Sequence, residues 1–276
     1  MKEQEQKKVV KRGKVGITIF LIIVSCVAIG AICYLLHYYH GLYKQEAVYE
    51  ELRQTEQVEE TIVVEETETE AEEQKVYCQQ VYDFEELRKD NEDIYAWITI
   101  PGTLVDYPVL QSEEDNYYLN RNLDHSKGYP GCIYTNACNA KDFSDYQTVL
   151  YGHNMKNDSM FGSLHDFESQ DTFLANREII VYTEEKRLTY EIYAAVKFSD
   201  AYITSYYDIY SAAGNERFLE DISKSAEIYA DVSHIMDMEI TQEDKLITLS
   251  TCVANESANR YIVVGCLKEE AYYIQD

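Results

Sequence analysis

The sequence predicts a mainly β domain, closed as a barrel of roughly eight short strands with short peripheral helices, behind one N-terminal transmembrane helix. Three observations lead there. Val15–Leu36 reads VGITIFLIIVSCVAIGAICYLL, 22 residues without a charge, and ~20 apolar residues are enough to cross a bilayer as a helix. Beyond Asp83, short apolar or alternating runs recur between Gly, Pro and Asp boundaries, the pattern of strands and turns. These runs are too many and too short for a doubly wound α/β sheet, so a barrel is the natural package.

The elements follow in order. Lys7, Lys8, Lys11, Arg12 and Lys14 precede the apolar run, and a basic flank tends to stay in the cytoplasm. Residues 1–14 are therefore expected inside and everything after residue 36 outside. A cleaved signal peptide is the rival, but no small-x-small cleavage site follows the run. Ile23-Val24-Ser25-Cys26 resembles a bacterial lipobox, yet the chain stays apolar after Cys26 where a lipoprotein would turn polar; lipidation there is the weaker alternative. Residues 37–77 are rich in Glu and Gln, with no Pro or aromatic cluster to build a core. Self-repulsion should hold them extended or loosely helical, as a stalk. Residues 78–276 form the folded domain.

Charge and cysteines exclude several classes. Lys and Arg number 24 against 50 Asp and Glu, a net charge of −26, so nucleic acid would be repelled rather than gathered. Up to Tyr77 there are 9 basic and 14 acidic residues, and from Cys78 on 15 and 36, so the acidity belongs mainly to the folded part. Of seven cysteines, Cys26 and Cys33 fall in the span, leaving five outside without the framework of a small disulfide-rich domain. Cys132 and Cys138 lack a CxxC set or nearby histidines, so no metal site is expected; they read as small buried hydrophobes.

Within the domain, Asp83 and Glu86 have capping-box spacing ahead of a short helix, Phe84 to Asp90. Tyr95–Ile100 and Val105–Gln111 flank the turn Pro101-Gly102-Thr103, and Cys132–Thr135 and Thr148–Tyr151 follow as short strands. Glu178–Thr183 and Leu188–Phe198 form a hairpin across Glu184–Arg187, with Tyr190, Ile192, Ala194, Val196 and Phe198 alternating toward one face. Lys245–Val253 and Arg260–Leu267 close the set. Before them lies an insertion of about 45 residues, Asp200 to Asp244, with helical spacing over Glu216–Tyr229 and size enough to border a site.

Three residues could carry chemistry. The alternating strand Leu246-Ile247-Thr248-Leu249-Ser250-Thr251 ends on Cys252, where a thiol can face a cleft. A free thiol, pKa ~8.5, is a poor nucleophile at neutral pH unless a base or cation lies close. His125 and His165 lie in polar or helical contexts and His234 inside the insertion, whereas His153 follows the strand run Thr148–Tyr151 and Gly152, also where a strand meets a loop. Arg260 comes eight residues after Cys252, and an intervening loop could bring it back beside the thiol. It cannot act as a base, but it can donate to a developing oxyanion. Spacing alone equally allows an arginine paired with surface acids.

Leu249-Ser250-Thr251-Cys252 followed by an arginine, with Tyr151-Gly152-His153 about 100 residues earlier, resembles the sortases of Gram-positive bacteria. So does Asp93-Ile94-Tyr95-Ala96-Trp97-Ile98-Thr99-Ile100-Pro101-Gly102-Thr103 with Val105-Asp106-Tyr107-Pro108-Val109. The helix-bearing insertion, the N-terminal helix and the serine before Thr251-Cys252 look most like class B. The likeness covers about Asp83 to Leu267. It implies an eight-stranded sortase-type barrel and a cysteine transpeptidase that cleaves a C-terminal sorting motif of secreted proteins after a threonine. The acyl group would pass to an amine of the peptidoglycan precursor, anchoring surface proteins to the wall. Cys252 would be the nucleophile, His153 the acid/base and Arg260 the oxyanion donor, with no cofactor. Ser250 and Tyr151 are candidate substrate contacts, with plain packing as their alternative.

Other classes fit less well. An L,D-transpeptidase would show His-Gly-Cys with an arginine two residues on; here Ser250-Thr251 precedes Cys252 and Ala254 stands two residues after it. A papain-like peptidase would place its cysteine early, with histidine downstream. A non-enzymatic stalked surface-binding module would bury Cys252 and leave it slow toward alkylating reagents.

Overall fold

The computed structural model describes residues 2–54, 63–64 and 76–274. Helix α1, Lys2–Gln54, contains the stretch long and apolar enough to cross a membrane. The chain divides into two compact units at Ala47/Val48. The last turns of α1 thus group with the folded domain, although the sequence places them in the stalk: Tyr49 is buried edge-on against Tyr107 and its hydroxyl donates to Gly131 O at 3.1 Å. Most of the acidic stretch 55–75 lies outside the described residues. Val63–Val64 pairs with Val76–Cys78, which runs parallel to the last strand.

Eight strands build the barrel: β1 Ile94–Thr99, β2 Asp106–Leu110, β3 Ile133–Thr135, β4 Gln147–Tyr151, β5 Glu178–Thr183, β6 Lys186–Ser199, β7 Leu246–Val253 and β8 Glu256–Tyr273. Their order is β8-β7-β4-β3-β2-β1-β5-β6, and pairing of β6 with β8 closes the ring. Closure removes the open edges that an alternating sheet would otherwise present.

Alternation along β7 sorts its residues between two faces. Leu249, paired with Leu150 of β4 and Val263 of β8, lies in the barrel interior, all three fully buried. Leu246, Thr248, Ser250 and Cys252 face outward. Most of that outer face is covered by the insertion, whose helices are α4, Ile203–Tyr206, and α5, Ala212–Ile228. Ile203, Tyr207, Phe218 and Ile222 pack on Val149, Ala194, Val196, Ile262 and Val264. Burial of Phe218 and Ile222 stabilises by about 1.5–3 kcal/mol each. The cover stops short of Cys252, which stays exposed.

Three local expectations change. The first domain helix, α2, runs only Phe84–Leu87; Asp83 caps it by accepting from the Glu85 and Glu86 amides, while the Glu86 carboxylate bonds Lys89 instead of closing a capping box. The predicted Glu216–Tyr229 helix starts four residues earlier, because the Ser211 side chain accepts from Gly214 N and sets its first turn. The alternation along β6 also breaks: Ala194 pairs with Val264 but Ile192 with Gly265, so Tyr193 is a bulge residue and the face flips there. Tyr190 and Ile192 therefore turn inward, and Ala194, Val196 and Phe198 meet the insertion. A short helix α3, Gln170–Ala175, follows the helical turns Gly162–Glu168 after β4.

Candidate active site

Register places two of the three sequence candidates opposite one another. In the antiparallel β7–β8 pair Cys252 stands directly opposite Arg260, and such partners place their Cβ atoms about 4.5–5.5 Å apart on one face. In the parallel β4–β7 pair Ser250 is level with Tyr151, and Gly152 N still donates to Ser250 O at 3.2 Å. His153 comes two residues after Tyr151, past the end of β4, as Cys252 comes two residues after Ser250 on β7. Cys252 and Arg260 thus stand side by side on β7 and β8, and His153 lies just beyond the end of the neighbouring strand β4.

Each position has a local cause. Gly152 leads into His153 through tight packing: a Cβ there would sit 2.5 Å from Ile133 Cδ1 and 2.7 Å from Phe161 Cδ2. The β7–β8 turn pairs Val253 with Glu256, with Asn255 left-handed at φ 62°, and then jumps to Cys252 opposite Arg260. The extra residues Ser257–Asn259 form a bulge, in which Asn259 still pairs with Ser199 of β6 and Ala258 O accepts from Asp200 N. Their carbonyls hold the guanidinium, Arg260 Nη1 donating to Ser257 O at 3.2 Å and to Asn259 O at 2.9 Å. Among the described residues no carboxylate lies in ion-pair range of Arg260, so the alternative of a surface ion pair is not what is seen.

His153 is half-buried beside Tyr129, ring centroids 4.8 Å apart. Its Nε2 lies 2.7 Å from Leu119 O. A carbonyl only accepts, so Nε2 carries the hydrogen and Nδ1 is the lone-pair nitrogen of the neutral ring. Burial holds this imidazole below its ordinary value of 6.5, and the Leu119 bond offsets part of that. The ring is accordingly neutral at pH 7, able to take a proton.

Ser250 is nearly buried on the same outer face. Tyr151 stacks between Tyr134, at 5.6 Å, and Tyr202 of the insertion, at 5.5 Å and nearly parallel. Tyr134 and Tyr202 both donate to Asn116 Oδ1, at 2.9 and 3.1 Å, and Asn136 bonds the Tyr202 hydroxyl. The Tyr134 hydroxyl is pushed up chiefly by burial, with Tyr202, Tyr151 and the Cys252 thiol adding to it. An aromatic, amide-rimmed floor therefore runs from Cys252 past Ser250 and Tyr151. Tyr134, Tyr202, Asn116 and Asn136 were not singled out in the sequence, because three dispersed segments supply them and no spacing links those segments.

An exposed strand-end thiol opposite a guanidinium, with a neutral imidazole just past the end of the adjacent strand, is a set of groups suited to cysteine acyl transfer. A family model described as "Sortase domain" matches residues 98–268. Among curated proteins, sortase B of Listeria monocytogenes is 30% identical over 167 residues, covering 60% of this chain and 65% of that protein. Sortase B of Staphylococcus aureus is 30% identical over 186 residues, covering 66% and 73%. The crystal structure of Clostridium perfringens sortase B superposes with a TM-score of 0.60 at 29% identity, covering 68% of this chain and 100% of that one. The chain belongs to the sortase family, with class B sortases as its relatives.

Proposed function

We propose that the protein is a class B-like sortase, a cysteine transpeptidase that cleaves a C-terminal sorting motif of secreted proteins after a threonine and transfers the acyl group to a cell-wall amine. The pairing of Cys252 with Arg260 across β7 and β8, with His153 just past the end of β4, supports this reading. The Cys252 thiol passes its proton to Nδ1 of neutral His153, and the thiolate attacks the carbonyl carbon that follows the threonine side. Negative charge moves onto the carbonyl oxygen, where free guanidinium N–H groups of Arg260 stabilise it. Collapse breaks the C–N bond; imidazolium His153 protonates the leaving amine and a thioester remains. The acceptor amine then attacks the thioester, giving its proton to His153, and the thiol is restored as the new amide leaves. Ser250 and Tyr151 are proposed to line the motif, Tyr151 through the aromatic floor it shares with Tyr134 and Tyr202.

The test is a peptide library presented to the full chain in detergent with a peptidoglycan-type amine. A threonine-containing motif should be cut and its acyl part joined to the amine; cleavage elsewhere, or no amine adduct with any peptide, sinks the reading. The basic flank and the apolar helix support single-pass insertion with residues 1–14 inside and the catalytic domain outside. Protease added to intact protoplasts should then remove the domain, and its protection would reverse the assignment.

A further inference from the structure

The backbone carbonyl of Cys252 is held by side chains that the mechanism above does not use. Along β4 and β7, Gly152 N–H donates to Ser250 O, and the next carbonyl facing β4 is that of Cys252. The β4 strand has already ended at Tyr151. Asn154 Nδ2 takes the place of the missing backbone donor, 2.9 Å from Cys252 O, and His165 Nε2 lies 3.0 Å from the same oxygen. A carbonyl has two lone pairs and can serve both.

His165 is itself fixed on three sides. Its Nδ1 is 2.6 Å from Glu168 Oε1, an acceptor, so Nδ1 carries a hydrogen. Its ring lies 5.1 Å from that of Tyr261, which is fully buried and pairs with Thr251. Asn154 Nδ2 is 3.0 Å from Nε2. With both ring hydrogens present, Nε2 donates to Cys252 O; with one, Nε2 accepts the second Nδ2 hydrogen of Asn154, which keeps its other bond to the carbonyl. The carbonyl is held in either state. Behind Glu168, its peptide oxygen accepts from His234 Nε2 at 2.9 Å, tying the network to the insertion.

We propose that His165, braced by Glu168 and acting with Asn154, is a positioning residue for Cys252. The inference rests on the reading of Cys252 as nucleophile. Among the described residues, none of the three side chains hydrogen-bonds the thiol. Clamping the carbonyl fixes the Cys252–Val253 peptide plane, at the point where the β7–β8 ladder changes register. The Cα–Cβ direction of Cys252 follows that plane, and with it the alignment of sulfur with His153 and Arg260. Misplacing a reacting atom by 1 Å can cost on the order of 10²-fold, so a partial loss of the clamp should be visible in rate.

The test uses the full chain in detergent micelles with a cleavable sorting peptide. It reads kcat and KM, and separately the pH profile of Cys252 alkylation by iodoacetamide, mapped by mass spectrometry. His165→Phe keeps the ring on Tyr261 and loses both nitrogens. It should lower kcat on the order of 10-fold with KM changed less than about twofold, and displace the alkylation profile. His165→Gln, whose amide can still donate to the carbonyl, should recover most of the rate. Wild-type kcat and alkylation in a folded His165→Phe protein would overturn the proposal, as would equal kcat losses in folded His165→Phe and folded His165→Gln. If His165→Phe does not fold, Glu168→Gln decides in its place: reduced kcat at unchanged KM with a displaced alkylation profile supports the clamp, and wild-type behaviour in both readouts overturns it. Turnover surviving in Cys252→Ala would instead refute the nucleophile assignment, while the alkylation profile still judges the clamp.

Discussion

Cys252→Ala is expected to lose turnover and the acyl-enzyme together, by on the order of 10⁴-fold or more, because a covalent catalyst without its nucleophile keeps only binding and oxyanion stabilisation. The change should leave the fold intact. Cys252 is exposed at a strand end, and the protein contacts of that residue run through its carbonyl and its ladder bonds, which alanine keeps. Sorting-peptide binding should therefore survive while intact-mass spectra show no thioester. His153→Ala should also spare binding but remove the group that takes the thiol proton and returns it to the leaving amine, at a cost of about 10²–10⁴-fold. A thioester formed on another residue in Cys252→Ala, or residual turnover well above background, would show that the nucleophile lies elsewhere.

Arg260→Lys is the second large effect. Nη1 of Arg260 is occupied by the Ser257 and Asn259 carbonyls, which leaves Nη2 and Nε with hydrogens to offer an oxyanion. Lysine keeps the charge but concentrates its donors on one atom, which cannot both hold the bulge and reach the developing oxyanion in a fixed fork. The expected loss is on the order of 10²–10³-fold in kcat, the cost of one oxyanion donor, with KM little changed. Steady-state kinetics on the cognate peptide check it. Near-normal kcat in Arg260→Ala would remove the guanidinium from the site and leave a Cys–His pair without its proposed partner.

Much of this protein is legible in one dimension. The 22-residue uncharged run, the alternation through Leu246–Cys252 and the strand-ending Gly152-His153 are local signals, because side-chain period and charge are written residue by residue. They were enough for an N-terminal apolar helix and the barrel class, and they single out Cys252 and His153 as candidates. The flip at Tyr193 was not legible, since a bulge depends on the partner strand's register and a regular pattern of Tyr190, Ile192, Ala194 conceals it.

What only the tertiary structure decided is adjacency. The spacing of Cys252 and Arg260 left a surface ion pair as good a reading as an oxyanion donor; in the fold the guanidinium bonds the Ser257 and Asn259 carbonyls, and no carboxylate pairs with it among the described residues. His165, which looked like one more helical histidine, meets the Cys252 carbonyl because β4 stops one pleat early and leaves that oxygen without a backbone donor. The aromatic floor of Tyr134, Tyr151 and Tyr202 comes from β3, β4 and the insertion, three segments with no common period. Short-range chemistry fixes the elements of this chain, but closing the barrel costs long loops of backbone entropy and is settled by contacts between distant residues. The site lives in those contacts.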